Sequence, residues 1–339
     1  MGTKVAKTIV RHGLVVALEG SYDEGYGTTN PDSATDGVEP EGPIEVPPDY
    51  AFGGERDTGA GAGTGTLRRG AASGRFGAIS IPSLFRGPGS AYALAGDLEL
   101  NALLQACGHV ATVDLTAGSE TIEYAPTTDL ANLASIAAGF YTRGQLAKAT
   151  GGLGSLKAEL NDQGFLLFTF DFSFKLADPF TDVARPSITL QSGIHPTATN
   201  IGIQIGNYVA ILRSFAFDQG RQVAGRNDYG GGGHAGFAPG IVEPRVTMTI
   251  EAPALAASTP WHTATEFDPD RFYEDAIEAA IDATFGGTQY NQVGFNAPQA
   301  QLISPPSPSN DGPTATWDLE FQLPPSAPAA DDHYTWTAK

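Results

Sequence analysis

Phe168-Thr-Phe-Asp-Phe-Ser-Phe-Lys-Leu176 alternates strictly: Phe168, Phe170, Phe172, Phe174 and Leu176 point one way, and Thr169, Asp171, Ser173 and Lys175 the other. That is the pattern of a half-buried strand. It returns about 147 positions later as Ala315-Thr-Trp-Asp-Leu-Glu-Phe-Gln-Leu323, where Trp317, Leu319 and Phe321 take the places of the aromatic face. Both stretches are expected to bury these rings in a core, because an aromatic face on a strand is more often core than a ligand platform.

The echo extends upstream. An apolar-periodic helix is expected before each strand, over Asp97–Cys107 (with Leu103 and Leu104 inward) and over Asp270–Phe285, closed by Gly108 and by Gly286-Gly287. Asp268 and Pro269 supply an N-cap and a first-turn proline to the second. Val15–Glu19 has a counterpart in Val209–Arg213, and Ile79–Ile81 one in Val246–Ile250. The order strand, loop, strand, helix, strands therefore occurs twice.

At 339 residues the chain has length for two domains, each able to bury a core without covalent staples. Glycine (42) and proline (24) are in excess, while 41% hydrophobic residues argue against disorder. The fold class expected is mainly β with flanking helices, in two tandem β-sandwich or barrel domains, 1–185 and 186–339. Cys107 is the only cysteine, which excludes an internal disulfide and fits a small buried hydrophobe. No apolar run reads as a signal peptide or membrane span, so folding in a cytoplasm is expected. A net charge of −19 disfavours direct grip on nucleic acid, which needs clustered Lys and Arg.

Residues 20–77 form the oddest stretch. Acidic residues, including Asp23 and Glu24, and several prolines lead into a Gly/Ala run at 59–65 and an arginine-bearing part with Arg56, Arg68, Arg69 and Arg75. A loop this long inside a compact domain is generally functional or disordered. Gln219–Gly240 is a shorter equivalent at the same place in the second repeat. Pro324–Lys339 reads as a C-terminal arm, rich in Pro and Ala, whose Tyr334 and Trp336 are rings that usually find a surface to cover.

Catalytic chemistry is absent from the pattern. Neither the run at 59–65 nor Gly151-Gly-Leu-Gly-Ser-Leu-Lys157 has phosphate-loop spacing, and the histidines at 12, 109, 195, 234, 262 and 333 lack the companions of a zinc site. No serine sits in a G-x-S-x-G elbow, and the acidic pairs Asp23/Glu24, Glu274/Asp275 and Asp331/Asp332 are neighbours in polar segments. The expectation is a protein that is not an enzyme and has no cofactor and no metal.

Gly96-Asp-Leu-Glu-Leu-Asn-Ala-Leu-Leu-Gln-Ala-Cys-Gly108, then Ile122–Pro126, Gly139-Phe-Tyr141, Ala149–Lys157 and Gly164 leading into Phe168–Leu176, resembles the tail tube proteins (major tail proteins) of long, non-contractile tailed phages. The second half resembles them more loosely, through Asn207–Gly220 and Asn291–Leu323, and the 20–77 insertion departs most. The resemblance implies a virion structural protein, assembled in the host cytoplasm. Its sheets would close with those of neighbouring subunits into rings around a channel, stacked into a tube through which genomic DNA is ejected.

It also implies tape measure, tail terminator and baseplate or distal tail proteins as partners, and double-stranded DNA that passes without specific binding. Two tandem domains per chain predict trimeric, pseudo-six-fold rings, with the 20–77 loop joining successive rings through its opposite charges. The rival expectation is an extracellular, adhesin-like carbohydrate-binding β-sandwich. A hydrolase with a shallow acidic site is a third class, supported only by generic carboxylates.

Overall fold

The computed structural model describes residues 13–42, 49–53, 71–142, 144–161, 163–176, 181–191, 193, 195–196, 202–226, 235–327 and 330–339. The chain is mainly β, and among the described residues nineteen strands join one hydrogen-bonded network. The first half holds β1 (Gly13–Leu18), β2 (Gly37–Val38), β3 (Asp49–Gly53), β4 (Ala71–Leu84), α1 (Asn101–Ala106), β5 (His109–Asp114), β6 (Thr121–Pro126), β7 (Ile136–Thr142), β8 (Gln145–Leu160), β9 (Leu166–Leu176) and β10 (Thr181–Asp182). Next come β11 (Gly202–Ile205), β12 (Tyr208–Ala210), β13 (Leu212–Asp218), β14 (Val223–Gly225), β15 (Phe237–Pro239) and β16 (Arg245–Glu251). The chain closes with α2 (Pro269–Glu274), β17 (Glu278–Phe285), β18 (Val293–Leu302), β19 (Ser307–Asp311), β20 (Thr314–Gln322) and β21 (Thr335–Ala338).

Two antiparallel layers face one another. One runs in the order β3·β4·β9·β8·β13·β16·β20·β19. The other runs β5·β6·β21·β18·β17·β11·β12. Ring contacts cross between them, with Phe168 against Trp336 at 5.1 Å, Phe215 against Phe285 at 5.4 Å and Phe217 against Phe295 at 5.5 Å. Such aromatic pairs add specificity to the area they bury. A further ladder, β2·β1·β7, continues from the first half of β8.

The two echo strands occupy equivalent positions. Phe170 on β9 faces Ile81 on β4, and Trp317 on β20 faces Ile250 on β16; two residues on, Phe172 faces Ile79 and Leu319 faces Met248. The repeat is therefore one of pairing register as well as of pattern. Phe168, Phe170, Phe172, Phe174, Leu103, Leu104, Leu319 and Phe321 are buried in one contiguous cluster that draws on both halves. Trp317 is half-buried, and beside it Thr316 is buried and bonded to Ser309 at 2.7 Å.

Two expectations about helices are corrected. Helix 97–107 shrinks to a 3₁₀ turn at Ala95–Asp97 and α1, with Gly108 at φ +79° ending it as expected. The second helix ends after six residues; Asp268 caps it through a 3.1 Å bond from Arg271 N, but Glu278–Phe285 is strand β17. That segment has apolar residues at period two as well as period 3.6. Pairing with β11 on one side and β18 on the other satisfies its backbone and selects the strand.

The loop expected at 20–77 is also more structured than a bare connector. It contains β2, β3 and the first residues of β4. The connector near 185 stays with the first half: Thr189 N bonds Ser33 O at 2.9 Å and His195 Nδ1 lies 2.9 Å from Phe85 O. Strands of the second half begin at Gly202.

Candidate functional site

The outward face of the layer β3·β4·β9·β8·β13·β16·β20·β19 is polar, because each strand alternates and its apolar residues go inward. One row across it reads Thr169, Lys157, Asp218, Arg245 and Gln322, so Asp218 sits between two cations in register where the first half meets the second. Ion pairs join Lys157 to Asp171 at 3.4 Å and Arg245 to Glu320 at 3.2 Å. Asp318 accepts from Thr249 Oγ1 at 2.7 Å, and Glu159 and Asp218 are exposed. With Glu159, Asp171, Asp218, Glu251, Asp311, Asp318 and Glu320 against Lys157, Lys175, Arg213 and Arg245, carboxylates outnumber cations on this face. Small side chains (Ser155, Thr169, Ser173, Ala216, Thr247) fill the remaining positions.

Among the described residues no strand covers either end of this sheet: β19 pairs only with β20, and β3 only with β4. Unpaired backbone donors and acceptors at such edges are the usual sites of pairing with another chain.

The joint between the halves is held from below by buried polar groups. Gln219 accepts from Leu156 N at 3.0 Å and donates to Cys107 O at 2.8 Å; Arg221 Nη1 donates to the same carbonyl at 2.7 Å. These side chains satisfy the orphan carbonyl that ends α1. His109 Nδ1 donates to Leu104 O, and its Nε2 faces the Tyr334 hydroxyl. Burial pushes the Cys107 thiol well above its ordinary range, which makes it a buried hydrophobe and not a nucleophile.

Asp23 and Glu24, expected in a ring-joining loop, behave differently from each other. Asp23 is tied to its own sheet by Lys175 Nζ at 2.9 Å and Thr150 Oγ1 at 2.8 Å. Next to it the buried Glu19 carboxylate accepts from Ser135 Oγ at 2.6 Å and from Gly151 N and Asp23 N at 3.1 Å, with burial pushing its pKa up. Glu24 is half-buried, and its carboxylate bonds within the loop to Thr29, Gly20 and Ser21, which lowers its pKa.

Arg56, Arg68 and Arg69 lie outside the described residues, as do His12 and His234, and Arg75 is placed only by its backbone in β4. The 20–77 stretch meets the Gln219–Gly240 loop, since Tyr22 Oη accepts from Phe237 N. Tyr334 and Trp336, expected on an arm, lie in the core, and β21 pairs with β6 of the first half and β18 of the second. The rings themselves were the sequence signal; their destination was not in it.

Among the described residues no group of three or more His, Cys, Asp and Glu side chains could hold a metal ion, and no helix is long and apolar enough to cross a membrane. No family model matches the chain, and no curated protein matches it.

Proposed function

We propose that this chain is the tail tube protein of a long, non-contractile tailed virus. It would polymerise as stacked rings, three chains and six repeated units to a ring, around a channel that genomic DNA traverses on ejection. One observation carries this reading: two units with the same strand pairing are already joined edge to edge, β8 to β13, in a single sheet whose end strands β19 and β3 each pair on one side only among the described residues. A sheet built by adding units sideways is the plan of a ring, and closure removes the exposed edges.

The resemblance of Gly96–Leu176 to tail tube proteins supports the same reading. The carboxylate-rich outward face suits a channel wall that repels DNA phosphates. The two units would be tandem tail-tube domains, with the 20–77 loop reaching the next ring. Tape measure, terminator and distal tail proteins are the partners this role requires.

Negative-stain electron microscopy of the purified full chain tests the proposal. Rings or tubes of trimeric repeat are expected. A persistent monomer, or a ring of six chains, would overturn it.

A further inference from the structure

The repeated pairing places the two units in a common frame, which identifies each strand's counterpart. β8 precedes β9 as its hairpin partner, as β19 precedes β20. On the other side β13 lies beyond β16, as β3 lies beyond β4. Inside the chain β8 and β13 pair. Their counterparts β19 and β3 are the two end strands of the same sheet, each paired on one side only among the described residues. When one edge of a unit pairs with the opposite edge of the next, the contact is heterologous and repeats until a ring closes.

We infer that β19 of one copy pairs antiparallel with β3 of a second copy, with Ser309 opposite Asp49 and Pro308 opposite Tyr50. This inference rests on the assembly proposed above. The register comes from the internal joint, where Lys157 pairs with Asp218. Lys157 faces Thr169 on β9, and the equivalent Thr316 on β20 faces Ser309. Asp218 faces Arg245 on β16, and the equivalent residue on β4, Phe76, faces Asp49. Phe76 and Arg245 correspond because Gly77 pairs with Phe174 as Val246 pairs with Phe321.

A proline agrees with this register. The carbonyl of Ala315 receives Ala252 N at 2.9 Å from the β16 side. Backbone groups alternate sides along a strand, so Thr316 bonds toward β19 and Trp317 does not. Pro308, opposite Trp317, therefore turns its carbonyl to the free edge.

Its counterpart in the internal joint is Leu156. There Gln219 N donates to Leu156 O at 2.9 Å, while Leu156 N goes to the Gln219 side chain and not to a backbone carbonyl. The position needs an acceptor and no backbone donor, which is what proline supplies. The joint between copies thus lacks a donor that the internal one has. It is the weaker of the two, and the ring opens there first.

The experiment is disulfide trapping in the assembled full chain. Ser309 and Asp49 form a pair that does not exchange backbone hydrogen bonds, so their Cβ atoms are the closer kind across a ladder. The double variant Asp49→Cys/Ser309→Cys, oxidised mildly, should give covalent dimers and trimers. The shifted pair Ala51→Cys/Ser309→Cys should cross-link on the order of tenfold less. Hydrogen exchange on the unaltered protein is the second measurement, with the amide of Asn310, which points away from β20, more protected in the assembly than in free chains.

Assembled rings in which the designed pair fails to cross-link, links no better than the shifted pair, or leaves β19 unprotected would overturn the joint and leave the tube reading standing. A chain that never assembles would overturn both.

Discussion

The Nε2 of His109 lies 3.0 Å from the hydroxyl of Tyr334, and its Nδ1 lies 2.8 Å from the carbonyl of Leu104. A carbonyl only accepts, so Nδ1 carries the proton, and the neutral ring accepts at Nε2 from the tyrosine. Burial pushes the His109 pKa down to about 4 from 6.5. The unfolded chain therefore binds the proton more readily than the folded one. Stability is complete above about pH 6.5 and falls as the pH drops toward about 4, by about 3 kcal/mol in all. Denaturant melts at a series of pH values check this: the difference between the native chain and His109→Gln should shrink by that amount on acidification. Comparing the two curves cancels the opposing contributions of Glu19 and Glu99, both raised by burial.

Trp336 stands where three elements converge, with ring centroids 4.7 Å from Phe295, 5.1 Å from Phe168 and 5.5 Å from Phe217. Trp336→Ala would empty the space between the layers and cost about 3–5 kcal/mol. Deleting residues 333–339 should cost more, because it also removes the ladders of β21 to β6 and β18. Equilibrium unfolding in urea gives both numbers. A deletion that leaves the midpoint unchanged would show that the C-terminal strand is not a structural member.

What the residues announce and what they conceal divides along physical lines. Phe168–Leu176 and Ala315–Leu323 are legible because period-two alternation has one structural solution. That they lie beside Ile81 and Ile250 is set by backbone pairing, which alternation does not disclose. Glu278–Phe285 was misread because Ala279, Ile281 and Phe285 suit both a helix stripe and a strand face, and only the neighbours β11 and β18 decide. The joint of β8 with β13 is made by backbone groups, which leave no mark on residue identity. Gln219 and Arg221 look like ordinary loop residues until the carbonyl of Cys107 is seen between them. For the polar face, alternation named the outward residues; which strands lie side by side was invisible.

Gly108 and Gly118 separate two costs of adding a methyl group. Both have positive φ, +79° and +82°. At Gly118 nothing lies within 4 Å of an added Cβ, so Gly118→Ala should lose only the backbone preference, about 1 kcal/mol. At Gly108 the Cβ would fall 1.4 Å from Arg221 Nη1, displacing a buried guanidinium from the Cys107 carbonyl. That substitution should cost several kcal/mol, of the order expected for an unpaired buried charge. Thermal melts of the two variants side by side give the contrast, and equal losses would refute the lock around Arg221.

In the proposed tube the polar face would form the channel wall. If the proposed tube forms with this face inward, its excess of carboxylates keeps duplex DNA from adhering, since binding requires cations that neutralise phosphates and release counterions. Assembled native tubes should therefore retain no short duplex even at low salt. Reversing the exposed charges, as Glu159→Lys, Asp218→Lys and Asp318→Lys together, should create retention without touching the aromatic core. That retention should weaken with salt by about 0.9 in log K per phosphate contacted, for each unit of log salt. Electron microscopy of the same sample confirms that tubes are present before binding is scored by fluorescence anisotropy. Tight duplex binding by the native tubes, or a triple variant that binds no better than they do, would place these carboxylates on the outside, where they serve solubility alone.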